Sequence, residues 1–110
     1  MTLEQIIKAA YNNNASDIHV TPGTPPVIRC NGELLRVGSD KMMPDDTEAI
    51  ANEIFKISDY REKFEGHGEV DFSFAYGDYG RFRANIYKQR SSVAIAIEPL
   101  CLYILALHLP

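Results

Sequence analysis

A short Asn-Gly pair constrains the fold of this chain more than any other local feature. Asn31 and Gly32 separate two runs rich in β-forming residues, Val27 to Cys30 and Glu33 to Val37. A two-residue hairpin turn needs a positive φ at both central positions, which asparagine and glycine adopt at low cost. The sequence therefore predicts a β-hairpin here, flanked by the irregular proline-rich stretch 21–26.

Strict alternation of apolar and polar residues marks the last third of the chain as β structure. Segments 70–76 and 81–87 alternate with period two, and Ser91 to Ile97 forms a third run. Keeping polar side chains on one face fixes the pairing of the first two segments. We expect the directly facing pairs to be Asp71 with Asn85, Ser73 with Arg83, and Phe74 with Phe82. The connecting loop is then odd-numbered, around 77–79.

Helical spacing appears in two longer segments and one short one. Thr2 and Gln5 form a predicted capping box for a first helix, whose apolar stripe is Leu3, Ile6, Ile7, Ala10 and Tyr11 and which stops near 12–14. A second helix is expected from Pro44, with an apolar side of Ala49, Ile50, Ile54 and Ile57.

A third, short helix is expected between Ser58, as its cap, and Phe64, broken by the stretch 66–68. A short strand is expected at Asp17 to Val20. Two to three helices with about six strands, mainly antiparallel, predict an α+β fold.

Composition bounds the class of protein. With 110 residues, 45% apolar residues and a net charge of −4, the chain is expected to be one globular domain that does not bind nucleic acid through bulk charge. Cys30 and Cys101 are expected to be reduced, buried thiols. The most apolar run, 100–109, is too short to span a bilayer, and the N-terminus has no basic region of a signal peptide. These features predict a cytoplasmic protein.

Most catalytic and metal-binding patterns are missing from the sequence. It has no P-loop, so no catalytic residue is assigned in this chain and the chain alone is expected to be inactive. Its histidines are scattered, so no metal site is expected. Asp17 and His19 share one strand face and could act as a ligand or acid–base pair, but a solvated or hydrogen-bonded pair on the polar side of an edge strand is the expected arrangement.

The basic stretch from Arg81 to Arg90 is the most informative segment, because it holds four cations and no carboxylate. Arg81 and Arg83 fall on one strand face, roughly 6–7 Å apart. Two guanidinium groups at that spacing can bind phosphate oxygens. The alternative is a surface salt-bridge ladder with Glu69, Asp71 and Asp78. An RNA-binding aromatic strand is disfavoured, since the aromatic residues fall on the face expected to be buried.

Four segments in order resemble the secretion and type IV pilus motor ATPases, most closely the PilT-type pilus retraction (twitching motility) ATPases. They are Ala15-Ser16-Asp17-Ile18-His19-Val20, Pro25 to Leu34, Glu69 to Phe74, and Gly80-Arg81-Phe82-Arg83-Ala84-Asn85. The resemblance extends over about residues 3–98. It implies that 1–99 is a PAS-like N-terminal domain, and that a RecA-like ATPase domain absent from this chain follows it.

The same resemblance implies how such a domain works. Six subunits form a ring, the RecA-like domain binds ATP and Mg²⁺, and the N-terminal domain moves against it and against neighbouring subunits during the ATP cycle. The implied nucleotide-phosphate contacts are Arg83, which matches the first family arginine, its same-face neighbour Arg81, and Arg90, which follows a strand later. We expect the Arg83 guanidinium to be partly unpaired, since Ser73 faces it and Asp71 is only diagonal. The implied location is the cytoplasmic side of the inner membrane, at the pilus platform protein.

Two features depart from the family pattern. A second family arginine, near the end of the last strand, is absent, and that neighbourhood reads Ala96-Ile97-Glu98-Pro99. Segment 100–110 is an apolar tail or linker remnant rather than a polar linker, and self-association through 100–109 is expected. Two alternatives remain open: a stand-alone PAS-like sensor or binding module, and the corresponding domain of a pilus-assembly or type II secretion ATPase.

Overall fold

The computed structural model describes residues 1–100 and confirms the α+β class, with three helices and six strands. The elements in chain order are α1 Leu3–Asn12, β1 Asp17–Val20, β2 Val27–Cys30, β3 Glu33–Arg36, α2 Pro44–Ile57, α3 Arg61–His67, β4 Glu69–Ala75, β5 Arg81–Gln89 and β6 Ser92–Pro99. No helix within these residues is both long and apolar enough to cross a membrane. The predicted apolar tail, with Cys101, lies outside the described residues.

The six strands form one antiparallel sheet in the order β3-β2-β1-β6-β5-β4. Its inward face packs against the helices; for example, Phe55 of α2 stacks on Phe72 of β4. We call the opposite side the open face, because most of its side chains are exposed or half-buried. The open face carries Asp17, His19, Arg29, Asp71, Ser73, Arg81, Arg83, Asn85, Ala96 and Glu98.

The predicted hairpin between β4 and β5 is confirmed in register. Phe74 faces Phe82, Ser73 faces Arg83, and Asp71 faces Asn85. The loop has five residues, 76–80, and includes a single 3-10 turn at Gly77–Tyr79. This register keeps the aromatic rings in the core and the polar side chains on the open face.

The Asn-Gly hairpin is also confirmed. Asn31 and Gly32 have φ values of 52° and 81°, which is the left-handed conformation predicted for both positions. Ile28 and Cys30 point into the core, and the Cys30 thiol is buried as expected and forms no disulfide within residues 1–100. The outer strand β3 is exposed along its whole length.

The first helix has the predicted capping box but a narrower apolar stripe. The Gln5 amide donates to the Thr2 hydroxyl, and the Thr2 amide donates to the Gln5 side chain. Tyr11 was wrongly included in the stripe: it is 57% exposed. Its ring instead packs edge-on against Tyr79, 5.2 Å between centroids.

The second helix begins at Pro44 as predicted, and Ile50 and Ile54 are buried as predicted, but two further members of the predicted apolar side are wrong. Ala49 and Ile57 are exposed. The buried stripe follows the spacing i, i+3, i+4, i+7, i+8 and consists of Thr47, Ile50, Ala51, Ile54 and Phe55. Ala49 lies about 200° around the helix from Thr47, away from the sheet. Thr47 fits inside because its hydroxyl donates to the Pro44 carbonyl.

Ser58 was wrongly assigned as the cap of the third helix. It terminates α2, where its amide donates to the Ile54 carbonyl, and α3 begins only at Arg61. The predicted break falls at Gly68, which is left-handed with φ 76°, while α3 continues through Gly66 and His67. A left-handed glycine is a common helix terminator because it has no Cβ to clash.

Candidate functional site

Arg81 and Arg83 lie on the open face of β5, as the alternation predicts. Phe82 and Ala84 between and after them are buried in the core. The strand therefore presents both guanidinium groups to the same side of the sheet. Both side chains are exposed and accessible to a ligand or another domain.

The expectation of a partly unpaired Arg83 guanidinium is wrong. Its Nε donates to Asp71 Oδ1 at 2.8 Å and its NH2 group donates to Asp71 Oδ2 at 3.0 Å. The hydrogen bonds and charge of Asp71 raise the pKa of Arg83 above its ordinary value. Asp71 is diagonal in the register, but the long arginine side chain reaches it and makes a bidentate pair.

A second carboxylate, Glu98, also lies near Arg83. The two residues face each other directly on β5 and β6. Arg83, Asp71 and Glu98 line a hollow of about 180 Å³ together with Asn85 and Ala96. Two carboxylates beside one guanidinium leave this hollow with a net negative charge, which opposes phosphate binding. In the sequence, Glu98 marks only the neighbourhood where the second family arginine is absent. That Glu98 faces Arg83 could be recognised only from the β5–β6 register.

Arg81 is held differently from its neighbour. Its NH2 group donates to the hydroxyl of Ser73 at 2.8 Å, and no carboxylate among residues 1–100 forms an ion pair with it. A neutral hydroxyl leaves the positive charge of Arg81 uncompensated. Of the two arginines, Arg81 therefore offers the freer charge to an incoming anion.

Arg90 does not join this site. It lies in the turn between β5 and β6, at the end of β5 opposite to Arg81. Nine residues of extended strand separate the two Cα atoms by roughly 30 Å. The structure thus brings Arg81 and Arg83 together and places the third predicted contact elsewhere.

Asp17 and His19 form the predicted hydrogen-bonded pair on the open face of β1, but the expected edge strand is wrong, since β1 lies between β2 and β6. His19 Nε2 lies 2.7 Å from Asp17 Oδ2, the Ser16 hydroxyl donates to Asp17 at 2.7 Å, and Arg29 lies 3.5 Å away. Burial works against ionisation of Asp17, but the hydrogen bonds from Ser16 and His19 and the charges of His19 and Arg29 outweigh it and lower its pKa. No cluster of three metal-ligating side chains occurs within residues 1–100.

Comparisons with known proteins agree with this architecture. No protein-family model matches the chain. It is 30% identical over 89 residues to the type IV pilus retraction ATPase PilT of Pseudomonas aeruginosa strain PAO1, which is 81% of this chain and 26% of that protein. It is 26% identical over 98 residues to the type IV pilus ATPase PilU of the same strain, 89% of this chain and 25% of the relative.

A crystal structure of the pilus retraction motor PilT with bound ADP has the same fold, with a TM-score of 0.77 and 36% identity. The match covers 89% of this chain and 29% of that one. The chain thus spans about a quarter of the length of the relatives it matches.

The six-stranded sheet, its helix-covered face and these similarities define the N-terminal domain of a type II/IV secretion ATPase. The chain belongs to the PilT type of that family.

Proposed function

We propose that this domain is the moving N-terminal part of a hexameric pilus-retraction ATPase. The similarity to the ADP-bound retraction motor carries the proposal, since it covers nearly the whole described domain. The chain has no P-loop, so a RecA-like domain in the full-length protein would bind ATP and Mg²⁺. The domain boundary is proposed at residue 99, with the PAS-like character implied by the family.

The open face is the proposed surface that closes over the nucleotide. It displays Arg81 and Arg83, and a cation brought to a nucleotide phosphate stabilises the charge that develops during phosphoryl transfer. To bind a phosphate oxygen, Arg81 would give up only its hydrogen bond to the neutral Ser73 hydroxyl. Arg83 reaches the phosphate only in competition with Asp71. Within the pair, Arg81 is the stronger candidate contact.

The proposed partners follow from the same family. The domain would contact its own RecA-like domain and the neighbouring subunits of a homohexamer, at the cytoplasmic face of the inner membrane beside the pilus platform protein. PilU is described only as a type IV pilus ATPase, so similarity to it does not separate a retraction motor from other motors of the family. The alternative is therefore the N-terminal domain of a pilus-assembly or type II secretion ATPase. A P-loop encoded within one domain length downstream would distinguish any of these motors from a stand-alone module.

ATP turnover of the full-length protein tests the proposal. Arg81→Ala should lower turnover at least tenfold, about 1.4 kcal/mol of transition-state stabilisation. Arg83→Ala should lower it less, because Asp71 already pairs with that guanidinium. Arg36→Ala, an exposed arginine of β3, is the matched control and should leave turnover unchanged. Melting temperatures of the three variants should stay within a few degrees of each other, because all three side chains are at the surface.

Unchanged turnover in both Arg81→Ala and Arg83→Ala would contradict the assignment of these arginines. Unfolding of either variant would show a structural role instead.

A further inference from the structure

A second concave site lies between α2, α3 and the β5–β6 turn, on the helix side of the sheet. We call it the helix cleft. It has a volume of about 360 Å³ and a floor of apolar side chains from Ala51, Phe55, Phe64 and Val93. Its rim is polar and consists of Glu48, Asn52, Arg61, Glu65, Lys88, Arg90, Ser91 and Ser92. The cleft thus combines an apolar floor with converging polar groups, the composition typical of a binding site.

The basic stretch that the sequence singled out is divided between two places. Arg81 and Arg83 go to the open face, whereas Lys88 and Arg90 go to the helix cleft, where Arg61 of α3 joins them. The nucleotide-facing role proposed above uses only the first pair. The second pair therefore needs a separate account.

Charge in the helix cleft is positive and loosely compensated. Arg61 and Lys88 share one carboxylate, Glu65, at 3.7 Å and 4.0 Å, near the outer limit of an ion pair. The two cations also lie over aromatic rings, Arg61 over Phe55 at 5.3 Å and Lys88 over Phe64 at 5.5 Å. These contacts hold both cations at the rim while leaving them open to a further anion.

Several rim groups have no partner within residues 1–100. Arg90 forms no ion pair there, and the side chains of Asn52, Ser91 and Ser92 make no hydrogen bond. Neutral donors and acceptors lie alongside the cations, so the rim can bind both a carboxylate and a backbone amide. This combination suits a peptide.

The backbone of Arg90 gives an independent indication. Among residues 1–100, the non-glycine residues with positive φ are Asn14, Asn31 and Arg90, the last at φ 61°. Asparagine tolerates this left-handed conformation, whereas arginine adopts it at a cost. The two-residue turn at 90–91 requires this positive φ, and an arginine in it places a cation at the rim of the helix cleft.

We propose that the helix cleft binds an acidic peptide segment of a partner protein, with one bulky apolar side chain on the floor and carboxylates on Arg90 and Lys88. A compact multiply charged anion fits less well, because Glu48 and Glu65 lie on the same rim and would repel it. Spaced carboxylates can avoid both acids. The inference goes beyond the nucleotide-facing function and does not depend on it.

A titration of the isotope-labelled 110-residue chain with a defined probe tests the proposal by NMR. The probe is a capped peptide, Gly-Glu-Gly-Phe-Gly-Glu-Gly-Ser, and the matched control peptide has glutamine in place of both glutamates. We expect saturable shifts of the amides of Asn52, Ser91 and Ser92 with the acidic peptide and none with the neutral one.

The variant Arg90→Asn separates binding from folding. Asparagine suits the left-handed position, so the unfolding midpoint should be unchanged or higher. The dissociation constant for the acidic peptide should rise at least about fivefold. Arg36→Asn, outside the helix cleft, should bind as the unchanged chain does.

Three results would overturn the proposal. The first is equal affinity of Arg90→Asn and the unchanged chain. The second is a set of shifts confined to the open face. The third is the same saturable shifts with inorganic phosphate, which would define a small-anion site instead.

Discussion

At the level of single residues, the open face is organised by which carboxylate each basic group reaches. Arg83 is neutralised by Asp71 in a bidentate pair, while Arg81 reaches only the Ser73 hydroxyl. On the other half of the sheet, the Asp17 carboxylate contacts both His19 and Arg29. Neighbouring basic groups of the same face thus differ in how much charge they can offer to a ligand.

The Asp17 cluster predicts a specific pH dependence of stability. The folded state lowers the pKa of Asp17 below its ordinary value of 3.8, so the ionised carboxylate stabilises the fold above that pH. This contribution is lost as the pH falls through the lowered, folded-state pKa. The difference in unfolding free energy between the unchanged chain and Asp17→Asn should therefore be largest above about pH 5 and shrink as the pH falls through 3.8 and the lowered pKa of the folded state.

Urea denaturation at a series of pH values between 6 and 2 measures this difference. Asp40→Asn, an exposed loop carboxylate, is the matched control and should show no comparable change with pH. If the difference in unfolding free energy between the unchanged chain and Asp17→Asn did not change with pH, the role given to this cluster would be contradicted.

At the level of elements, two glycines with equally open surroundings should respond oppositely to alanine. A Cβ at Gly32 or at Gly66 meets no heavy atom within 4 Å. Gly32 has a φ of 81° in the hairpin turn, so Gly32→Ala should destabilise the fold by about 1–2 kcal/mol. Gly66 lies within α3, so Gly66→Ala should be neutral or stabilising by up to about 1 kcal/mol.

Chemical denaturation of the two glycine variants provides the comparison. Each variant serves as the control for the other, since neither adds a contact. Equal shifts in the same direction would show that backbone conformation does not decide the effect.

Strand positions, and the register of β4 with β5, were predictable from the sequence because the two-residue period assigns each side chain to a face. The hairpin turn at 31–32 was predictable for the same local reason. The buried faces of the helices were less predictable. Phe55 is buried and Ile57 is exposed because of the way α2 lies on the sheet, which the helical spacing alone does not determine. Similarly, the Arg83–Asp71 pair depends on a diagonal reach across two strands. The helix cleft joins α2, α3 and a distant turn, and no local pattern marks such a site.

At the scale of the whole molecule, the sequence predicts a chain that is inactive alone, because it has no P-loop. Without a P-loop, the 110-residue chain should hydrolyse ATP no faster than background. Two exposed arginines, one of them already paired, should bind nucleotide only at millimolar concentration or more weakly, corresponding to about 4 kcal/mol or less. Calorimetry and a phosphate-release assay check both points. Micromolar ATP affinity of this chain would contradict the proposal that the RecA-like domain, and not this one, binds the nucleotide tightly.

Closure of the open face over a nucleotide is the central claim, and thiol labelling in the full-length protein tests it most directly. Ala75 is exposed on the open face and directly opposite Arg81, so Ala75→Cys reports on access to that site. Ser39→Cys, in an exposed loop after β3, is the control. Both cysteine variants are made in a Cys101→Ser background. With a non-hydrolysable ATP analogue, labelling at 75 should slow at least about tenfold while labelling at 39 stays constant. Equal rates at 75 with and without the analogue would contradict closure.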